Sequence, residues 1–285
     1  MHLTLRTAKL YVQNHFIAVV LHAIAMIPLA VVLGCASYTP PTDQERADTF
    51  KPFIHTMMAG QSVQDYVAER TAMLMGGDLV QSAGEKESTT WITLKPEPNT
   101  EVRGPSQAVA IDRRGYFLTA DHCLTDAKTM IIYRAPDRVR LATARVVAHF
   151  AEQDAALICV DAPLIESFEW APIDSLKSDA PLISLGPAEP GENKNTLILQ
   201  RKLFAGNLKS VEPLKDGGYS IVHNLPFRPG DSGGPTLDLR GRLVGINSHI
   251  TVTSFSSDDY SMRPDPATVA KLIEEDFSHK QSLSK

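Results

Sequence analysis

The sequence predicts an all-β body, a sandwich or a barrel, and three observations carry that expectation. From about Ser88 onward the chain breaks into short apolar or alternating runs, among them "TTWITL", "QAVAI", "GYFLTA", "AALICV", "GYSIVHN" and "GRLVGINSHITV". Gly, Pro, Asp and Asn separate these runs at intervals that suit tight turns. No long β/α alternation occurs, which disfavours a parallel sheet flanked by helices.

The elements follow in order. Residues 1–34 read as a targeting segment, because Arg6 and Lys9 precede the uncharged stretch "FIAVVLHAIAMIPLAVVLG" and no acid appears before Asp43. The stretch suits a cleaved export signal. It is also close to the about 20 apolar residues that a spanning helix needs, so an uncleaved membrane anchor is the second reading. "VLGCAS" resembles a bacterial lipobox, which implies a lipidated Cys35 as the mature N-terminus and a place at the bacterial cell envelope.

Residues 35–87 are expected to hold a polar, Pro-bearing tether and a helix over 62–75. Ser62 and Asp65 have capping-box spacing, Val63, Tyr66, Val67 and Leu74 share a side, and Gly76–Gly77 ends the run. Residues 161–180 lack strand alternation and link two halves of the β body. A closing helix is expected over 266–277.

Composition narrows the function. The 28 Lys and Arg against 33 Asp and Glu give a formal charge of −5, and removing the first 34 residues makes the body more acidic. A basic patch for nucleic acid is not expected. Of the three cysteines, Cys123 and Cys159 remain once Cys35 is set aside. They read as small buried residues rather than a disulfide framework, although pairing between them stays open. Neither they nor the histidines have zinc-ligand spacing, so no metal or cofactor is expected.

The chemistry gathers around "RPGDSGGP", Arg228–Pro235. A serine hydroxyl needs a neighbouring base to become a nucleophile, and the base needs an acid to orient it. Ser232 sits after Gly230, which is free to turn its N–H toward a developing oxyanion. Gly233 and Gly234 are expected to leave open space beside the hydroxyl. His122, in "GYFLTADHC", follows an apolar strand that would carry an imidazole out of a core, with His149, His223 and His249 as rivals. Asp154 opens the apolar run "DAALICV", where a desolvated carboxylate needs a hydrogen-bonding partner; Asp121, Asp126 and Asp161 read as loop acids.

Taken together, "TADHC", "DAAL" and "PGDSGGP" resemble the chymotrypsin/trypsin-like serine protease family, in its His–Asp–Ser chain order. The resemblance covers about residues 88–277. It implies two antiparallel six-stranded barrels, about 88–165 and 180–262, with the site between them. It implies Ser232 as nucleophile, His122 as general base and acid, Asp154 as orienting acid, and the N–H groups of Gly230 and Ser232 as an oxyanion hole. The substrate would be a protein or peptide, and Pro226, Ser248 and Ile250 fall at positions that line the substrate channel.

Several positions depart from the family pattern. Asp121 replaces the small residue usual before the histidine. No activation-cleavage motif precedes the first barrel, so Asp231 is expected to lack a freed amine as partner. Pro226 gives no carboxylate to select Arg or Lys. No room is expected for the PDZ domain of heat-shock-type periplasmic proteases. These departures sustain a second reading, a catalytically silent binding protein on the same fold.

Overall fold

The structure, a computed structural model, describes residues 63–81, 91–96, 103–124, 128–186, 189–190, 196–198, 203–252 and 257–283. Cys35 and the targeting segment lie outside the described residues, as does the side chain of Ile250.

The first sheet is built from β1 (Thr71–Gly76), β4 (Arg103–Asp112), β5 (Tyr116–Thr119), β6 (Thr129–Arg134), β7 (Val139–Thr143), β8 (Arg145–Phe150) and β9 (Ala155–Cys159). Its seven strands run antiparallel in the order β7-β6-β1-β4-β5-β9-β8. The expected closed six-stranded first barrel is therefore an open half-barrel of seven strands. The second body matches expectation. β10 (Pro181–Leu185), β13 (Leu203–Pro213), β14 (Tyr219–His223), β15 (Pro235–Asp238), β16 (Leu243–Val252) and β17 (Ser257–Arg263) close a barrel in the order β10-β13-β14-β17-β16-β15. A small sheet joins β2 (Leu79–Gln81), β3 (Trp91–Pro96), β11 (Glu189–Pro190) and β12 (Thr196–Ile198).

Strands β1, β5, β6 and β9 of the half-barrel are buried on both faces, which explains why they read as continuous apolar runs, while β7 and β8 stay partly exposed. Side chains alternate along a strand. Tyr116 and Leu118 of β5 enter the core shared with the barrel residues Ile183, Leu237 and Ile246, while Phe117 enters the half-barrel's own core with Ile131 and Ile158. The shared core holds the two β bodies against each other.

The predicted helix over 62–75 is corrected. Only α1 (Val63–Ala68) is helical, and Thr71–Gly76 is strand β1 at the centre of the half-barrel, paired with β4 and β6. Nonlocal pairing on two sides outweighs a helical spacing that depended on few residues. The half-barrel consequently begins upstream of residue 88. Thr71 ends the helix by donating its hydroxyl to the Val67 carbonyl at 2.8 Å. The closing helix α2 (Pro266–Leu283) is longer than predicted, and Val269 and Ile273 bury against the shared core. Among the described residues no helix is long and apolar enough to cross a membrane.

Candidate active site

β5 ends at Thr119, and the chain turns through a short 3-10 helix, Asp121–Cys123, that carries His122. Asp154 arrives by another route. It caps the 3-10 helix Ala151–Gln153 with φ of +41°, a left-handed conformation that Asp tolerates better than most residues, just before β9. The two segments are tied by a backbone bond, the Asp121 N–H donating to the Asp154 carbonyl at 3.0 Å.

His122 Nδ1 donates to Asp154 Oδ2 at 2.7 Å, and the His122 backbone N–H donates to Oδ1 at 3.0 Å. The Ser248 hydroxyl, from β16, completes the set by donating to Oδ2 at 2.5 Å. Burial alone would raise the Asp154 carboxyl, but these hydrogen bonds outweigh it and hold the pKa below the ordinary value of 3.8. The reciprocal effect raises His122: the bond to Asp154, helped by Cys123, favours the imidazolium. With Nδ1 committed to Asp154, Nε2 is the nitrogen left to serve as base. Asp121, the departure beside His122, bonds instead to His149 Nδ1 at 2.6 Å.

Ser232 lies on the loop between β14 and β15. The loop is folded on itself. The Asp231 N–H donates to the Arg228 carbonyl at 2.9 Å, and the Arg228 N–H donates to Asp231 Oδ2 at 2.7 Å. Gly230 (φ +98°) and Gly233 (φ +77°) adopt backbone conformations that side chains resist. Asp231 is buried, and burial pushes its carboxyl up to about 6. Its carboxylate accepts from the Arg228 N–H, and among the described residues no ion pair holds it. Ser232 lines a cavity of about 170 Å³ with Phe227, Arg228, Pro229, Asn247, Ser248 and His249. Ser248 thus lines the cavity and bonds to Asp154. Pro226 is not among the lining residues; its neighbours Phe227, Arg228 and Pro229 are.

The rival histidines have other surroundings. His149 is exposed and held by Asp121. His223 is fully buried, and burial pushes it down to about 3. His249 stacks on Tyr260, with ring centroids 4.6 Å apart. Cys123 and Cys159 are free thiols. Among the described residues no cluster could hold a metal ion.

The expectation that Gly233 and Gly234 clear space beside the hydroxyl is corrected. A Cβ on Gly233 would stand 2.0 Å from the Gln107 carbonyl oxygen, and one on Gly234 would stand 2.5 Å from Gln107 Nε2. The glycines admit β4 of the half-barrel against the loop. Gln107, fully buried, donates its backbone N–H to the Ser232 carbonyl at 2.8 Å and its side chain to the Leu185 and Asp231 carbonyls. Sequence reasoning missed Gln107 and Asn247. Their signal was a polar residue inside an apolar strand run, which must find partners once buried.

Residues 107–246 match the family model described as trypsin-like peptidase domain. Two curated proteins described as "probable periplasmic serine endoprotease DegP-like" are similar. That of Pseudomonas fulva is 29% identical over 155 residues, 54% of this chain and 31% of the relative, and that of Pseudomonas fluorescens is 27% identical over 157 residues with the same coverage. The chain thus spans about a third of the length of these relatives. Among solved structures, the HtrA-type protease AlgW with decapeptide superposes with a TM-score of 0.55 at 17% identity, covering 79% of this chain and 67% of that one. That likeness is one of fold, and it agrees with the half-barrel and barrel described above. Over residues 107–246 the chain carries a trypsin-like peptidase domain of the chymotrypsin/trypsin-like serine protease family.

Proposed function

We propose that the chain is a serine endopeptidase that hydrolyses peptide bonds through an acyl-enzyme on Ser232. The observation that carries the reading is the His122 Nδ1 to Asp154 Oδ2 bond of 2.7 Å, with Ser248 linking Asp154 to the cavity that Ser232 lines. Asp154 orients the ring so that Nε2 is the base and stabilises the imidazolium that forms. Neutral His122 takes the Ser232 proton as the hydroxyl oxygen attacks the scissile carbonyl. The tetrahedral oxyanion rests on the N–H groups of Gly230 and Ser232, neither of which donates to a backbone carbonyl among the described residues. His122 returns the proton to the departing amine, and water, activated by the same imidazole, releases the acyl group.

The substrate is a protein or peptide bound along the cleft lined by Ser248 and His249. Periplasmic relatives and the lipobox-like "VLGCAS" support an exported protein at the bacterial cell envelope, anchored through a lipid on Cys35 or through the N-terminal apolar segment. The test is labelling by a fluorophosphonate probe. Ser232→Ala is expected to abolish it, and equal labelling of both proteins would refute the reading.

One observation favours the binding-protein alternative: Ser232 makes no hydrogen bond to His122 among the described contacts. Such bonds in unliganded enzymes are often long and tighten when substrate binds. A wild-type chain that neither labels nor cuts a diverse peptide pool, yet retains peptides, decides for the alternative.

A further inference from the structure

The interior of the barrel contains a line of polar side chains that the triad does not use. His223, Ser261, Thr236, Asn247 and Ser184 are each at most 1% exposed, and they come from five different strands, β14, β17, β15, β16 and β10. His223 Nε2 meets Ser261 Oγ at 2.8 Å, Ser261 Oγ meets Thr236 Oγ1 at 2.6 Å, and Thr236 Oγ1 meets Asn247 Oδ1 at 2.8 Å. Asn247 Nδ2 then reaches Ser184 Oγ at 3.0 Å and the Asp231 carbonyl at 3.1 Å.

The ends of this line force its direction. A backbone carbonyl can only accept, so the Asn247 atom facing Asp231 is Nδ2, and Oδ1 faces Thr236. Thr236 must then donate to Asn247 and accept from Ser261, which in turn accepts from His223 Nε2–H. At the far end the Leu225 N–H points at His223 Nδ1 at 3.3 Å, which requires that nitrogen to be an acceptor. Both ends demand the same neutral tautomer of His223. The hydrogen bonds therefore run one way from Leu225, at the start of the loop that bears the nucleophile, to Asp231, beside the nucleophile.

The Asp231 carbonyl is held by three donors: Asn247 Nδ2, the Gly234 N–H at 3.0 Å and Gln107 Nε2 at 3.3 Å. Asn247 grips the same loop through its backbone as well, accepting from the Gly233 N–H at 2.7 Å and donating to the Gly234 carbonyl at 2.8 Å. The Asp231–Ser232 peptide is planar, and in the trans form its C=O and N–H point in opposite directions. Fixing the carbonyl toward Asn247 fixes the Ser232 N–H away from it.

We infer that the buried chain His223–Ser261–Thr236–Asn247 is a positioning relay that aims the Ser232 N–H as an oxyanion donor by clamping the Asp231 carbonyl. The inference rests on the peptidase reading. None of the four residues transfers a proton; they act through the orientation of one peptide plane. Thr236 is the informative link, because its hydroxyl belongs to the relay and its methyl group belongs to the packing.

The test uses the full chain with Thr236→Val and Thr236→Ser, read by the rate of fluorophosphonate labelling and by thermal melting. Removing one oxyanion donor outright costs about 10²–10³-fold, so a mis-aimed donor in Thr236→Val is expected to slow labelling roughly 10–100-fold. Its pH profile should keep the wild-type limb, since His122 and Asp154 are untouched. Thr236→Ser retains the hydroxyl and loses packing, so its melting temperature falls while its labelling rate stays within about 3-fold. A merely structural role would give the reverse ranking. If Thr236→Val does not fold, Ser261→Ala breaks the same line one link away and is expected to show the same slowing. Ser232-dependent labelling at the wild-type rate in the folded Val or Ala variant overturns the relay alone. Labelling that survives Ser232→Ala overturns the peptidase reading instead.

Discussion

Gly233 and Gln107 approach so closely that a Cβ on the glycine would stand 2.0 Å from the Gln107 carbonyl oxygen, and the glycine's φ is +77°. Backbone meets backbone here, so no side-chain movement relieves the contact. Gly233→Ala should therefore lose roughly 2–4 kcal/mol, about 1 from the disfavoured backbone region and 1–3 from overpacking. Urea unfolding of the variant against wild type checks the loss.

Gln107 is the other half of that contact. Its amide donates to the Leu185 carbonyl of the barrel and the Asp231 carbonyl of the loop, so it ties β4 to both. Gln107→Leu keeps much of the volume and leaves those carbonyls short of a donor. We expect a stability loss of about 1–3 kcal/mol. Labelling at Ser232 should also slow, measured on protein shown to be folded.

Asp154 sits at φ of +41°, a region that Asn tolerates, so Asp154→Asn should fold. Its activity is expected to fall about 10⁴-fold, the magnitude known for this substitution in the family's template mechanism. The check is kcat/KM on any peptide the wild type cuts.

The pH limb reads the same pair. In the proposed mechanism neutral His122 is the active form, and its bond to Asp154 raises its pKa above 6.5, so activity should rise with pH along a limb displaced to the alkaline side. Ser248→Ala removes one donor from Asp154 and makes the carboxylate a stronger acceptor for His122, which moves the limb further up. A limb that moves down toward 6.5 in that variant would contradict the geometry.

Asp259 of β17 is buried, and burial, with Asp258 and Asp231 nearby, pushes it up to about 7 against the opposing effect of Lys209. A carboxyl raised on folding holds its proton in the folded state where the unfolded chain has lost it. Stability from this group is therefore present at low pH and declines as pH rises from about 4 through 7. Asp231, raised to about 6, acts in the same direction. Asp259→Asn should raise the melting temperature at pH 8 relative to wild type and leave it little changed at pH 4.

Much of the site was legible because its chemistry is local in sequence. "PGDSGGP" carries its own turn, and "TADHC" and "DAAL" each stand where a strand ends or begins. The structure brings His122 and Asp154 into contact and puts Ser232 and Ser248 in one cleft. Thr71–Gly76 was misread for the opposite reason. Its strand identity comes from β4 and β6, partners remote in sequence, and its own residues fit a helix as well. The purpose of Gly233 and Gly234 was misplaced on the same ground, since the atoms they accommodate belong to Gln107, more than a hundred residues earlier.

By itself the sequence determined a β-rich body, the residue types of a His–Asp–Ser set in one chain order, and a loop rich enough in glycine to turn sharply at the serine. These are properties of short segments, governed by strand periodicity, turn preferences and the reactivity of a few side chains. Only the tertiary structure decided that the first body is an open half-barrel. It also decided that Ser248 is the third donor to Asp154, and that a line of buried hydroxyl, amide and imidazole groups reaches the Asp231 carbonyl. Such contacts join strands far apart in the chain, and a buried polar group takes its partner from whatever the packing brings within about 3 Å.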